Sequence, residues 1–372
     1  MKKISSLFLF ITISIFAFAQ QKQITYNLII GTYTNSGKSE GIYTYGFNTL
    51  TGNTKLKNIT KEVANPSYLT LSSNGKFVYA VNETGNTSAV SAFTFNAANG
   101  KLNFINKQES HGADPCYITA DNQNVIIANY SGGSLVVFGR NADGSLTDPK
   151  QIIQHTGKSI DPKGRQKSAH VHMVKFTPDH KYLICNDLGE DQIYIYNYNP
   201  TSNDRILTIK NVLKTNAGTG PRHITFSPNG KFAYLAHEFN GSITGFVYSN
   251  GSLKKIQEIG TTEKNFSGKI DGADIHISAD GKFLYETNRG DANSISVFAI
   301  LPTGILRPVE TISTLGKGPR NFSIDASGKF LLVAHQYTND VVIFKRDKIS
   351  GKLTDSGKRI EVGAPVCLLF SK

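Results

Sequence analysis

Residues 221–241 read PRHITFSPNGKFAYLAHEFNG. A short alternating run leads into Ser227-Pro228-Asn229-Gly230, a tight-turn tetrapeptide. An apolar run over 232–236 and a polar loop follow. Two short β-rich runs joined by turn residues form a pair of antiparallel strands. A third run over 243–248, a Gly-containing turn and a fourth segment complete the unit. The phrase recurs at residue 66 (PSYLTLSSNGKFVYAVNETG), 115 (PCYITADNQNVIIANYSGG), 171 (VHMVKFTPDHKYLICNDLGE), 272 (GADIHISADGKFLYETNRGD) and 319 (PRNFSIDASGKFLLVAHQYTN). It begins once more at 365 as PVCLLFSK, where the chain ends. The seven starts are separated by 49, 56, 50, 51, 47 and 46 residues.

A repeat of about 50 residues with four strands is a propeller blade. The expected fold is therefore all-β, a seven-bladed β-propeller with four antiparallel strands per blade. The last unit stops after one strand. Runs at 28–33, 41–47 and 55–59 supply its second, third and fourth strands. Blade 7 is thus built from both ends of the chain, which closes the ring and removes exposed sheet edges.

The fold is not expected to include the first 19 residues. Lys2 and Lys3 precede an apolar stretch, and Ala17-Phe18-Ala19 closes it in small-x-small form. That pattern is a secretory signal, with cleavage after Ala19. Residues 20–372 then form one propeller domain in the periplasm or outside the cell. No later stretch has the length of apolar residues needed to span a membrane. Loss of the two lysines leaves a net charge of 38 − 28 = +10. The basic residues are scattered, many in Gly-Lys turns, which is not the stripe that nucleic acid requires. Cys116, Cys185 and Cys367 are widely spaced and odd in number, so they read as small buried hydrophobes rather than a disulfide framework.

Blade geometry nominates a site. The first two strands of a blade run antiparallel, so Arg222 and Glu238, sixteen residues apart, meet at one end of the propeller. The same relation pairs Ala273 with Arg289, Arg320 with Gln336, His172 with Leu188, and Ser67 with Glu83. One ring thereby collects Glu83, His172, Arg222, Glu238, Arg289 and Arg320. Charges gathered near a channel are costly unless paired or used. Arginines hold carboxylate or phosphate and stabilise an oxyanion, while a carboxylate or imidazole moves a proton.

Gly220 to Tyr234 (GPRHITFSPNGKFAY), and Ala273-Asp274-Ile275-His276-Ile277 followed by Gly281-Lys282-Phe283-Leu284-Tyr285, resemble the seven-bladed lactonase family. That family includes propeller-type 6-phosphogluconolactonases and the carboxymuconate lactonizing enzymes. The resemblance runs from about Leu28 to the C-terminus. It implies a lactone hydrolase acting on a sugar-derived or other anionic lactone, without a cofactor. By family position, His172, Arg222, Glu238 and Arg289 are the catalytic candidates, with Glu238 or His172 as general base. Arg320, His276, Asp274 and Glu83 are the substrate-binding candidates. A lactonizing cycloisomerase or a propeller that only binds anions are the competing readings. A monomer or simple homo-oligomer is expected.

Other motifs carry less. His170, His172, His223 and His276 alternate on strands, but no metal-ligand spacing supports them, and no metal site is expected. Gly37-Lys38-Ser39-Glu40-Gly41 matches G-x-S-x-G, yet lies between two strands where a nucleophile elbow needs a following helix.

Overall fold

A computed structural model describes residues 25–371, except 36, 162 and 264. The signal segment and its cleavage point lie outside the described residues. Seven four-stranded antiparallel sheets form a ring. In blade 7 the C-terminal strand Pro365–Ser371 pairs with Thr25–Thr32, followed by Gly41–Asn48 and Thr54–Lys61. The ring is therefore closed by both ends of the chain, through antiparallel pairs such as Ile29 with Leu369. The core lies between neighbouring sheets. Phe77, Tyr79 and Val90 of blade 1, for example, pack on Ile118, Ile127 and Val136 of blade 2.

The recurrent Gly-Lys-Phe-x-Tyr phrase has a structural cause. Its glycine closes the tight turn at positive φ, as at Gly230 (68°) and Gly281 (71°), a region that a Cβ disfavours. Its tyrosine reaches the next blade: the hydroxyls of Tyr79, Tyr234 and Tyr285 donate to the carbonyls of Gly144, Gly304 and Gly351. Its aromatic partner packs on the same glycine. A Cβ added at Gly144, Gly304 or Gly351 would lie 2.2–2.3 Å from the rings of Phe77, Phe232 and Phe283. The motif is thus a seal between blades.

The innermost strands of blades 2–6 are Pro115–Ala120, Val171–Phe176, Pro221–Phe226, Gly272–Ile277 and Pro319–Ile324. Each carries one extra residue near its start. Pro221 pairs with His237 but His223 with Ala236, so Arg222 is bulged out of register. The same slip isolates Cys116, His172 and Arg320. In blade 5 it falls between Gly272 and Ile275, and in blade 7 Val366 is skipped. A β-bulge re-aims a side chain. Repeated in blades 2–7, it re-aims one residue of each near the start of the inner strand. The three cysteines are free and buried.

Candidate active site

The polar loop after the second strand of blade 4 begins with Glu238, whose carboxylate is 1% exposed. Arg222 donates from Nε to its Oε2 at 2.8 Å. Arg289, from blade 5, reaches the same oxygen at 3.2 Å and also Asp271 at 3.2 Å. Arg165 donates to Oε1 at 2.5 Å. His172 Nε2 stands 3.8 Å from Oε2. Burial alone would raise the Glu238 carboxyl. The fields of Arg289, Arg165 and Arg222 outweigh it and hold the group well below the usual range. Glu238 is therefore an ionised hub for three guanidiniums.

His172 is shifted the other way. Burial, then the charges of Arg222, His223, Arg320 and Arg289, push its imidazole well below the ordinary value of 6.5. It is neutral at pH 7, with an unprotonated ring nitrogen. Cys116 Sγ lies 3.8 Å from His172 Nδ1, but burial pushes this thiol far above the usual range. A Cys–His nucleophile pair is thus disfavoured. Burial, with Arg289 and Arg320 nearby, also brings Arg222 down to about 10.

Arg320 differs from the other three. Its guanidinium lies 5.4 Å from the centre of the Tyr33 ring. Among the described residues it makes no hydrogen bond or ion pair. The nearby carboxylate, Glu83, is bound by the hydroxyls of Tyr33 at 2.8 Å and Ser67 at 2.5 Å. A cavity of about 520 Å³ opens beside them, lined by Tyr33, Glu83, Asp114, Gln336 and Tyr337.

Glu83, His172, Arg222, Glu238, Arg289 and Arg320 all stand at the end where the inner strands begin. Asp274 and His276 do not join them. Asp274 is buried mid-channel, accepting from His223 (2.8 Å), His276 (2.9 Å) and Asn321 (2.5 Å). His276 is four residues into its strand and lines a cavity at the opposite end. Tyr68 and Tyr117, with rings 4.2 Å apart, stand between the two ends.

Arg165 and Tyr130 were not legible in the repeat. Arg165 also donates to the Tyr130 hydroxyl and lies over Phe239 at 5.2 Å. Tyr130 stacks on His170 at 4.5 Å and meets His172 edge-on at 5.5 Å. Arg165 belongs to the non-strand segment that lengthens the unit between 115 and 171, so the 56-residue spacing was the available signal. That segment is held by blade 3: Gly157 N donates to Glu190, Ser159 Oγ to Asp191, and Gln166 Nε2 to the Leu188 carbonyl. His155, Asp187 and Glu190 cluster closely enough to hold a metal. Their ligand atoms are already used, His155 on Asp187 and Tyr196, Glu190 on Gly157 and Tyr194. Ser39, in the G-x-S-x-G match, hydrogen-bonds Thr32 in a hairpin loop.

Fold and site define a propeller with an arginine-rich, histidine-bearing centre at one mouth of its channel. The chain belongs to the lactonase, 7-bladed beta-propeller family, whose model matches residues 27–370. A Bacillus subtilis 6-phosphogluconolactonase is 35% identical over 346 residues, covering 92% of this chain and 97% of that protein. A crystal structure from Bacteroides fragilis is 43% identical, with TM-score 0.90, covering 95% of this chain and 99% of the other. The periplasmic gluconolactonase of Pseudomonas aeruginosa is 36% identical with TM-score 0.90, over 94% of this chain and 99% of that one. Among the described residues no helix is long and apolar enough to cross a membrane.

Proposed function

We propose that this protein hydrolyses a sugar-derived lactone bearing an anionic group, at the mouth lined by the bulged residues. The observation that carries the reading is the division among the arginines. Three guanidiniums converge on Glu238, while Arg320 feels the charge of Glu83 but makes no ion pair or hydrogen bond among the described residues. A guanidinium left without an ion partner at a concave mouth suits a carboxylate or phosphate of the substrate.

Water adds to the lactone carbonyl carbon and gives a proton to His172. Arg222 and Arg289 stabilise the oxyanion that forms. The ring C–O bond then breaks, and the leaving alkoxide takes the proton back from the imidazolium. The ring-opened hydroxy acid ionises and leaves. His172 suits the role of base because its imidazole is neutral, with an unprotonated ring nitrogen, and stands in the arginine cluster 3.8 Å from Glu238. Glu238 suits it less, since three guanidiniums keep it ionised and weakly basic. Its part is to hold them in place.

The test is proton release from a panel of sugar lactones, with and without a phosphate or carboxylate, by mature protein and by His172→Asn. Acceleration that falls about 100- to 10,000-fold in the variant supports the reading. No acceleration over spontaneous hydrolysis on any lactone overturns it. Export follows from the charged-apolar-small pattern of residues 1–19, and we infer a periplasmic or secreted enzyme. N-terminal sequencing of the secreted form should begin at Gln20. No nucleic-acid partner is proposed, and the expected assembly is a monomer or simple homo-oligomer.

A further inference from the structure

The opposite end of the channel carries a second ring. The fifth residue of each repeat is Thr70, Thr119, Lys175, Thr225, His276, Ser323 and Leu369 in turn around the propeller. Six of these seven, all but Thr225, line a cavity of about 500 Å³. Among the described residues no aspartate or glutamate lines it. Lys175 makes no ion pair or hydrogen bond through its ammonium among the described residues. Burial pushes that group below its ordinary value, with the charge of Asp274 opposing. The hydroxyls of Thr70, Thr119 and Ser323 likewise have no side-chain hydrogen bond among the described residues. His276 spends Nε2 on Asp274, leaving Nδ1 without a partner among the described residues. His180 lies at the cavity wall, stacked on Phe176 at 5.3 Å.

Lys175 is half-buried, and an ammonium partly withdrawn from water costs free energy unless it is paired. Here the unpaired ammonium shares a cavity with three hydroxyls that have no side-chain partner among the described residues, each able to donate. That donor set suits a small oxyanion and offers a cation little. We propose that the end of the channel remote from the Glu238 cluster is a second anion site, taking phosphate or carboxylate on Lys175, Thr70, Thr119 and Ser323. It is separated from the first site by Tyr68, Tyr117 and the His223–Asp274 pair. The proposal does not rest on lactone hydrolysis.

The test is calorimetric titration of mature protein with inorganic phosphate and, separately, with gluconate, at constant ionic strength in chloride. The Arg320→Met background removes the free guanidinium at the other mouth. Saturable binding that weakens about tenfold or more in Lys175→Met supports the site. Tighter binding of phosphate identifies a phosphorylated ligand, and tighter binding of gluconate a carboxylate. Thr119→Val, which leaves the charge in place, should weaken the same binding by a smaller factor, and decides the matter if Lys175→Met does not fold. Binding unchanged in Lys175→Met, or no saturable binding of either anion in the Arg320→Met background, overturns the proposal.

Discussion

Blades 4 and 6 start with the same three residues, Gly220-Pro221-Arg222 and Gly318-Pro319-Arg320, and put them to different use. In both, the bulge turns the arginine toward the channel mouth. Sixteen residues later blade 4 has Glu238 and blade 6 has Gln336. Arg222 is consequently buried in an ion pair with that carboxylate, while Arg320 stacks on Tyr33 and makes no ion pair among the described residues. One position in the repeat therefore separates a guanidinium locked onto Glu238 from one that makes no ion pair among the described residues.

The hardest blow to this arrangement is Glu238→Ala. It leaves Arg165, Arg222 and Arg289 facing one another without their shared anion. Removing one partner of a buried ion pair costs about 3–5 kcal/mol, and a misplaced oxyanion donor about 100- to 1000-fold in kcat. Thermal melts and initial rates should show both losses. A variant melting like wild type would mean that the cluster contributes nothing to stability.

Gln336→Glu should make blade 6 resemble blade 4. A carboxylate at this position can pair with Arg320 and compete with the substrate. KM for an anionic lactone should rise about tenfold with kcat nearly unchanged, as when uniform binding is lost. A fall in kcat alone would place Arg320 in the chemical step instead.

The pH dependence tests the burial of His172 and Arg222. His172 lies well below 6.5 and Arg222 at about 10. The profile of kcat/KM should be flat from pH 6.5 to 9, losing activity only well below the ordinary histidine range and again near pH 10. An inflection at about 6.5, the ordinary histidine value, would show an imidazole exposed to solvent, contrary to its burial.

A smaller effect concerns Glu286, in the second strand of blade 5, whose carboxylate is buried beside Thr261 and the Ala273 backbone with no ion pair among the described residues. Burial pushes it from 4.5 up to about 8, the reverse of Glu238 with its three arginines. The folded state thus holds this proton more tightly than the unfolded chain. Its contribution to stability declines as pH rises from 4.5 to about 8, then levels off. Glu286→Gln should flatten that slope in denaturant melts recorded across the same range. An unchanged slope would mean that the carboxylate finds a partner when ionised.

Most of the architecture was legible because each blade repeats the same turn and strand chemistry. Even the closing of blade 7 by both chain ends followed from one missing count of strands. The sixteen-residue relation brought Arg222 to Glu238, because a tight turn fixes the register of the strands on either side of it. Three things were not legible. The bulge that aims Cys116, His172, Arg222 and Arg320 is a backbone slip with no residue signature of its own. Arg165 sits in a segment with no counterpart in the other blades, so no repeat could align it. His276 shares a strand with Gly272, whose carbonyl accepts from Arg289 at the mouth, but a strand advances about 3.3 Å per residue. Four residues therefore carry it through the channel to the other end.

The most direct measurement is the ratio of kcat/KM for a lactone with an anionic substituent to that for its uncharged analogue, in wild type and in Arg320→Met. An unpaired Arg320 that holds the substrate anion predicts a preference for the charged lactone that drops about tenfold or more in the variant. Equal ratios in the two proteins would show that Arg320 does not hold the substrate, and the division between blades 4 and 6 would have no bearing on function.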